Sequence, residues 1–386
     1  MNFDLSHEQQ MIYDYGQSLT KTFDQAYWRD HVERKAFPEE LTKQIATDGF
    51  LGIMVPEQYG GAGLGMTEQV IFMEGLSHAG FPMLELVASS TMSIPLVAEF
   101  GTEEQKQKYI PPCCDGSATF CFMITEAGAG SNSMAINTMA KKRGDKYYLS
   151  GQKTFISLGG RADFGLVVAR TTALEDAPNK AHGFTLFLVD MKAKGIDRQL
   201  IDVSVPLTDT QWIIFFDEVE LSEENILGEV DKGFEILFDT LNPERIVLSG
   251  LCNGIGRMAL EKAVEYASER VVFKGPIGAY QGLQHPLAAA KTEVEMASLM
   301  TLKAAWLYDN DRPCGPEANM AKYFAAEASI HAVDASLQCF GGNGFTKEYG
   351  IFDLYPIVRL FRTAPLNREI ILSYIGEKVL GLPRSY

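Results

Sequence analysis

The spacing of hydrophobic positions changes twice along the chain. Up to about residue 115 it has the period of a helix, as where Leu41, Ile45 and Phe50 recur after Pro38. From about 116 to 228 it consists of short runs typical of strands, separated by Gly, Asn and Asp. After Gly228 long amphipathic stretches return and continue to the end. We therefore predict an α+β architecture of three domains, with boundaries at 1–115 (helical), 116–228 (β) and 229–386 (helical bundle).

Local signals refine this prediction. A capping box over Thr102–Gln105 predicts a helix that Pro111 and Pro112 are expected to end, and Gly144-Asp145 predicts a hairpin turn. Too little helix separates the strands for βαβ units, so we expect an antiparallel barrel or sandwich and not a doubly wound sheet. The predicted strands are 119–124, 146–149, 164–169, 183–189 and 211–219, and the predicted long helices are 242–270, 281–309, 316–340 and 366–380.

Charge and cysteine content exclude several classes of function. The 34 Lys and Arg residues against 50 Asp and Glu residues give a net charge of −16, which opposes binding to nucleic acid. The six cysteines form no CxxC pair, so we expect reduced thiols in a cytoplasmic protein and no metal site. The first residues, 1–11, are polar and acidic without the apolar segment of a signal peptide, and no later stretch reaches the ~18 consecutive apolar residues of a membrane span, so we expect a protein that is neither exported nor inserted in a membrane.

Two neighbouring segments of the β-region are candidates for ligand binding. The segment 124–132 is rich in glycine and hydroxyl groups, which permits close approach to a phosphate or a flat polar ring. The alternative is a hairpin loop without a ligand, since the spacing is not that of a dinucleotide fingerprint. Phe155 and Ser157 lie two residues apart on a strand, hence on one face, where a planar cofactor would stack. The alternative interpretation is an aromatic of the β-core with a capping serine.

Two further segments admit a structural and a functional interpretation. Asn242-Pro243 has the pattern of an N-cap followed by proline in the first turn, which would place Glu244 favourably in the helix macrodipole. Gly341 and Gly342 follow a predicted helix, either as its C-cap or as a second site of backbone donors.

Taken together and in this order, these segments resemble the acyl-CoA dehydrogenase family over nearly the whole chain. The sequence TEAGAGSN at 125–132 is similar to the family's Thr-Glu-Pro-x-x-Gly-Ser-Asp, and GQKTFIS at 151–157 to its Gly-x-Lys-x-(Trp/Phe)-Ile-(Thr/Ser). The resemblance implies an N-terminal helical domain, a middle antiparallel β-domain and a C-terminal four-helix bundle.

The resemblance also implies how the cofactor is held. The expected cofactor is FAD, bound within the chain by Phe122, Ile124, Thr125, Gly130, Ser131, Phe155 and Ser157. A second set is expected to reach the FAD of a neighbouring subunit, which implies a homodimer or homotetramer. This set comprises Arg270, Phe273, Gln281, Gln338, Gly341 and Gly342.

The catalytic base is where this chain departs from many members. Those carry it in a Tyr-Glu-Gly-Thr segment after Arg-Asp-Ala, whereas Arg362-Thr363-Ala364 is followed here by PLNRE without Glu-Gly. The isovaleryl-CoA and long-chain branches place their glutamate on the helix that opens the bundle, just before an arginine. By that resemblance Glu244 is the expected base and Glu369 the weaker candidate, and Arg245 and Ser131 are expected to bind substrate.

The implied reaction is FAD-dependent α,β-dehydrogenation of an acyl-CoA thioester to a trans-2-enoyl-CoA. Glu244 would remove the α-proton while the β-hydrogen leaves as hydride to the flavin, and the electrons would pass to an electron-transfer flavoprotein. Two alternatives remain open. One is a non-catalytic protein that binds acyl-CoA or flavin. The other is a flavin oxidase or monooxygenase of the same fold, whose reduced flavin reacts with oxygen.

Overall fold

The N-terminal third of the protein is helical. The computed structural model describes residues 4–384, and for 238–240 the backbone alone. A π-helical segment, Val87–Ser93, precedes the fifth helix, and no helix within the described range is long and apolar enough to cross a membrane. The helices are α1 (His7–Ser18), α2 (Gln25–Arg34), α3 (Glu39–Thr47), α4 (Met66–His78), α5 (Ile94–Phe100) and α6 (Glu103–Cys114).

Helix α6 confirms one local prediction and contradicts another. The Thr102 hydroxyl accepts from Gln105 N at 3.3 Å, and Gln105 Oε1 accepts from Thr102 N at 3.0 Å, which is the predicted capping box. The prediction that Pro111 and Pro112 end this helix was wrong, because α6 continues through both. They lie in its last turn, where the carbonyls deprived of a donor belong to exposed residues and can bond to water.

The middle of the chain forms one sheet of eight strands: β1 (Phe120–Met123), β2 (Met139–Arg143), β3 (Lys146–Ser157), β4 (Phe164–Arg170), β5 (Phe184–Asp190), β6 (Ile196–Ile201), β7 (Gln211–Leu221) and β8 (Ile226–Leu227). Their order in the sheet is β6-β7-β3-β2-β4-β5-β8, with β1 paired to β4. Most pairings are antiparallel as expected, and the Gly144-Asp145 hairpin joins β2 to β3. Two pairings, β1 with β4 and the single β2–β4 pair, are parallel and are exceptions to the expected antiparallel sheet.

The C-terminal region is again helical. The prediction that its first helix starts at Asn242 was wrong, because α7 already begins at Gly233 and Pro243 lies inside it. The apolar face extends upstream through the buried Ile236 and Leu237, so packing overrides the local cap signal. A short hairpin, β9 (Val271–Val272) and β10 (Gly275–Pro276), follows α7. The helices are α7 (Gly233–Glu269), α8 (Gln281–Asp309), α9 (Gly315–Phe340), α10 (Ile351–Phe361) and α11 (Arg368–Tyr374).

The two helical regions share one hydrophobic core. Buried side chains of α1 and α4 join those of α7, α8 and α9 in a single cluster, while much of the sheet packs around a separate one. Helices α1 and α4 approach so closely that a Cβ on Gly16 would lie 2.6 Å from the backbone of Gly75. The predicted order of helical, β and helical regions is confirmed.

Candidate active site

The glycine-rich loop and the strand with the candidate stacking residues lie side by side. Thr154 N donates to the Thr125 carbonyl at 2.9 Å, and Lys153 Nζ donates to the Ile124 carbonyl at 2.9 Å. Gly130 and Ser131 are exposed at the far end of the loop. Three of the residues predicted to bind the cofactor, Phe122, Ile124 and Thr125, are half-buried at its base.

A buried ion pair fixes this loop. Glu126 Oε1 accepts from Lys153 Nζ at 2.8 Å and from Thr138 N at 3.0 Å, while Oε2 accepts from Asn137 N at 2.7 Å. Burial opposes ionisation of Glu126, but the Lys153 ammonium and the other donors outweigh it and lower its pKa. Neither residue was predicted as functional, although each belongs to one of the two motifs. We infer that this glutamate is structural.

Phe155 lies on a bulge of β3. The pairing register with β7 shifts between Lys153 and Ile156, which leaves one extra residue on β3, and Phe155 adopts φ 55°. Phe155 is 61% exposed. The alternative interpretation of Phe155 as an aromatic of the β-core is therefore wrong, because the bulge turns it out of the sheet. An exposed aromatic ring next to a glycine-rich loop suits the stacking of a flat molecule.

Ser157, the last residue of β3, is held by two polar residues that the sequence analysis missed. Its hydroxyl donates to Asp209 Oδ2 at 2.6 Å and accepts from Gln211 Nε2 at 2.9 Å. Asp209 is only 4% exposed, and burial raises its pKa to about 6. Asp209 and Gln211 lie more than fifty residues downstream of Ser157, so no local spacing connects them.

Glu244 lies within α7, where its side chain is half-buried and makes no ion pair with any described residue. Burial raises the pKa of Glu244 to about 7, against the opposing effect of the Arg245 and Lys322 cations. The N-cap interpretation of Asn242 was wrong: its side chain accepts from Arg245 at 3.0 Å inside the helix. Glu244 is thus not in a first turn, and the macrodipole does not explain it. A carboxyl with a pKa near neutrality suits a general base.

The segment after α10 connects Lys322, a cation that acts on Glu244, to the glycine-rich loop. Lys322 of α9 is 2% exposed and donates to the Phe361 carbonyl and, at 2.8 Å, to the Leu366 carbonyl. The next residue, Asn367, donates through Nδ2 to the Ser131 hydroxyl at 2.8 Å. The weaker candidate base, Glu369, is exposed in the first turn of α11, where the helix macrodipole accounts for it.

The second predicted set lies at one end of the helical bundle. The ends of α7 and α9 meet the start of α8 around a cluster that includes Ala267, Phe340 and Leu283. The Gly341 N–H bonds to the Gln338 carbonyl and caps α9, which confirms the structural one of the two interpretations of these glycines. Among the described residues, no hydrogen bond, ion pair or ring contact joins this set to the glycine-rich loop of the same chain. All of its members are exposed, with Phe273 at 93%: Arg270, Phe273, Gln281, Gln338, Gly341 and Gly342.

Comparison with known proteins finds a match for each of the three regions of the chain. Three family models match: the acyl-CoA dehydrogenase N-terminal domain at residues 6–117, the middle domain at 121–218 and the C-terminal domain at 231–380. The chain is 42% identical over its full length to acyl-CoA dehydrogenase fadE12 of Mycobacterium tuberculosis, covering 99% of that protein.

Two further relatives have more specific names. The chain is 33% identical to subunit CarC of the caffeyl-CoA reductase-Etf complex of Acetobacterium woodii, with 90% of this chain and 93% of that protein covered. The solved structure of butyryl-CoA dehydrogenase from Megasphaera elsdenii superposes with a TM-score of 0.93 at 28% identity, covering 98% of this chain and all of that one. The chain therefore belongs to the acyl-CoA dehydrogenase family of FAD-dependent oxidoreductases.

Proposed function

We propose that this chain converts an acyl-CoA thioester to the trans-2-enoyl-CoA, with Glu244 as the base that removes the α-proton. One observation carries the proposal: a half-buried carboxylate with a pKa raised to about 7 and no ion-pair partner among the described residues. Nearby, Leu366 and Asn367 link Lys322 to Ser131 of the glycine-rich loop. Arg245 follows the base on α7, and we assign it with Ser131 to substrate binding.

The donor set of the loop and of β3 fits an FAD. Phe155 offers an exposed ring for stacking, and Thr125, Ser131 and Ser157 offer hydroxyl groups in the same two segments. Phe122, Ile124 and Gly130 complete the proposed contacts. When bound, the flavin supplies the acceptor for the β-hydrogen, and the protein residues orient the acyl group and exclude water.

We further propose a homodimer or homotetramer in which the bundle end contacts the FAD of a second copy. The exposure of Phe273 and of its neighbours supports this, because within the described part of one chain no hydrogen bond, ion pair or ring contact joins them to its own glycine-rich loop. Helix α8 also exposes Met296, Leu299 and Trp306, each at least 50%, at helical spacing. A stripe of this kind is typical of a protein interface.

For the electron acceptor we propose an electron-transfer flavoprotein, consistent with the Etf complex named for the Acetobacterium relative. That name also supports testing acyl groups with an aromatic substituent at the β-carbon. The raised pKa of Glu244 argues against a non-catalytic binding protein. We propose a cytoplasmic location, because all six cysteines are free and buried.

The test is an anaerobic titration of the FAD-loaded protein with straight, branched and 3-arylpropanoyl-CoA thioesters, following the visible absorption band of oxidised flavin. Bleaching of the flavin by one class of thioester, with formation of the enoyl-CoA, supports the proposal and identifies the substrate class. Glu244→Gln should abolish bleaching and keep the FAD, whereas Glu369→Gln, at an exposed site, should behave as the wild type. FAD that no thioester reduces would contradict the proposal. Rapid reoxidation in air would instead favour the oxygen-reactive alternative.

A further inference from the structure

A narrow cavity lies in the interior where the N-terminal helices meet the sheet. Thr42 of α3, Glu85 just before the π-helical segment and Thr119 just before β1 are among its lining residues. Apart from the half-buried Phe37 and Thr119, every lining residue is buried. The cavity offers about 10 Å³ to the centre of a water molecule. That is roughly the room that one water needs, and it is too little for a larger ligand.

Three of the lining residues carry a buried oxygen that has no hydrogen-bond partner among the described residues. These oxygens are Thr42 Oγ1, Glu85 Oε2 and Thr119 Oγ1. Glu85 is only 1% exposed and Thr42 only 7%. A buried polar atom without a partner destabilises a fold, because it has given up its bonds to solvent and gained none in return. Three such residues on one cavity of this size indicate that their partner is a water molecule.

Glu85 can donate a hydrogen into this cavity. Its Oε1 accepts from the Thr208 hydroxyl at 2.9 Å, so the carboxyl hydrogen belongs on Oε2. Burial and then the charge of Asp209 raise the pKa of Glu85 to about 8, against the opposing effect of Arg161, and the acid is therefore protonated at neutral pH. The other titratable side chain on the cavity is Cys113, which also stays neutral because burial raises its pKa.

We propose that this cavity binds one water molecule, which accepts the carboxyl hydrogen of Glu85 and donates to the hydroxyls of Thr42 and Thr119. The water connects α3 to the start of β1 and, through Glu85 and Thr208, to the segment before β7. It thus joins the N-terminal helices to the sheet at a place where the side chains do not bond to one another directly. The water needs neither FAD nor a substrate for these bonds, so the site is independent of the proposed function.

The direct test is a high-resolution crystal structure of the FAD-loaded protein at pH 7. We expect one ordered water in the cavity, within about 3.2 Å of Glu85 Oε2 and of the two threonine hydroxyls. An empty cavity would overturn the inference. So would side chains that have moved together and bond to each other without a water.

A test in solution uses Thr42→Val, which keeps the shape of the side chain and removes its hydroxyl. If a water bonds to this hydroxyl, the equilibrium constant for unfolding should rise about fivefold, measured by urea denaturation of the FAD-loaded protein. If the cavity is empty, the variant should be as stable as the wild type or more so. The control is Thr91→Val. Thr91 Oγ1 is also buried without a partner among the described residues, but Thr91 does not line the cavity, so no loss is expected. Equal losses in the two variants would overturn the inference.

Glu85→Gln tests which group donates to the water. The amide offers an N–H donor and an oxygen for Thr208 but has no charge to lose. The stability of the wild type relative to this variant should fall as the pH rises from about 5 to about 8. The reason is that the unfolded chain loses the Glu85 proton near its usual pKa of 4.5, whereas the folded protein keeps it up to about 8. A relative stability independent of pH would mean that Glu85 is ionised and does not donate, which contradicts the inference.

The crystal structure decides alone if Thr42→Val does not fold. The proposed function is judged separately, by the bleaching of FAD with an acyl-CoA. A protein that is bleached but has an empty cavity contradicts only the water site, and one that holds the water but is never bleached contradicts only the proposed function.

Discussion

Two glutamates near the proposed cofactor site are both removed from solvent but differ in the partners of their carboxyl oxygens. Glu126, in the glycine-rich loop, has a lysine ammonium and two backbone N–H groups on its oxygens, which lower its pKa. Glu244, on α7, has no ion pair among the described residues, and burial raises its pKa to about 7. The first carboxylate holds a loop in place, and the second is available to take a proton.

The comparison shows that burial alone does not assign a role. Lys153 is fully buried beside Glu126, so the pair stabilises the loop only while both members are present. The cations near Glu244, Arg245 and Lys322, instead bond to an amide oxygen and to backbone carbonyls. They favour the charged form of Glu244 without occupying its oxygens. A catalytic base must be ionised and must keep a free oxygen to reach its substrate, and this arrangement of cations permits both.

The largest effect should come from Glu244→Gln. The amide keeps the shape of the side chain but cannot accept the α-proton, so the rate of flavin reduction by acyl-CoA should fall by about 100- to 10,000-fold. Anaerobic stopped-flow measures this rate, and FAD content should stay at the wild-type level. A variant that reduces its flavin at the wild-type rate would remove Glu244 from the mechanism.

The corresponding substitution beside Glu126, in the glycine-rich loop, should lower the stability of the protein. Lys153→Met leaves the Glu126 carboxylate buried without its counter-ion, which should cost about 3–5 kcal/mol in the free energy of unfolding and release FAD. Urea denaturation measures the loss, and the double variant with Glu126→Gln should recover part of it. Lys142→Met is the control, since it breaks an exposed ion pair with Glu223 and should cause no measurable loss. A Lys153→Met protein as stable as this control would refute the structural role.

A smaller effect is expected in the pH dependence of flavin reduction. Only ionised Glu244 accepts a proton, so the rate should rise with pH through about 7. Lys322→Met removes a cation that lowers the pKa of Glu244, and the midpoint should therefore move upward by up to about one pH unit, or 1.4 kcal/mol. Lys322→Arg retains the charge and should restore the midpoint. An unchanged or lower midpoint in Lys322→Met would show that the lysine only anchors the segment after α10.

The smallest effect on stability should be at the bundle end. Arg270 is exposed, so Arg270→Ala should change the free energy of unfolding by no more than about 0.5 kcal/mol. If a second copy brings its FAD to this surface, the same variant should bind FAD more weakly, measured by equilibrium dialysis at concentrations where the wild type is oligomeric. Wild-type affinity for FAD would contradict the proposed contact between subunits.

The sequence predicted those parts of the fold whose signal is local and repeated. The order of helical, β and helical regions, the capping box at Thr102 and the Gly144-Asp145 hairpin all follow from periodicity or turn chemistry. Weakly patterned strands such as the charged β2 and the polar β6 were missed. The start of α7 was misplaced because Asn242-Pro243 has the sequence pattern of an N-cap but lies inside the helix. The boundaries at 115 and 228 stay predictions.

In the candidate site the motifs were predictable from the sequence and their partners were not. Glu126 and Lys153 are 27 residues apart, and Ser157 and Asp209 are 52 apart, so each pair exists only once the sheet has formed. The exposure of Phe155 results from a bulge in β3, which the alternation of inward and outward residues along a strand does not predict. The surroundings of Glu244 likewise depend on tertiary packing. These contacts decide whether a carboxyl is structural or catalytic, and they are non-local.

The most direct test of the contrast between the two glutamates is proton exchange without redox chemistry. The FAD is first reduced with dithionite, so that it cannot take a hydride, and an acyl-CoA substrate is incubated with the protein in D₂O. Mass spectrometry or NMR then follows deuterium at the α-carbon. We predict exchange in the wild type and in Glu369→Gln, and none above the uncatalysed rate in Glu244→Gln. Exchange at the wild-type rate in Glu244→Gln would show that another group is the base and would contradict the account.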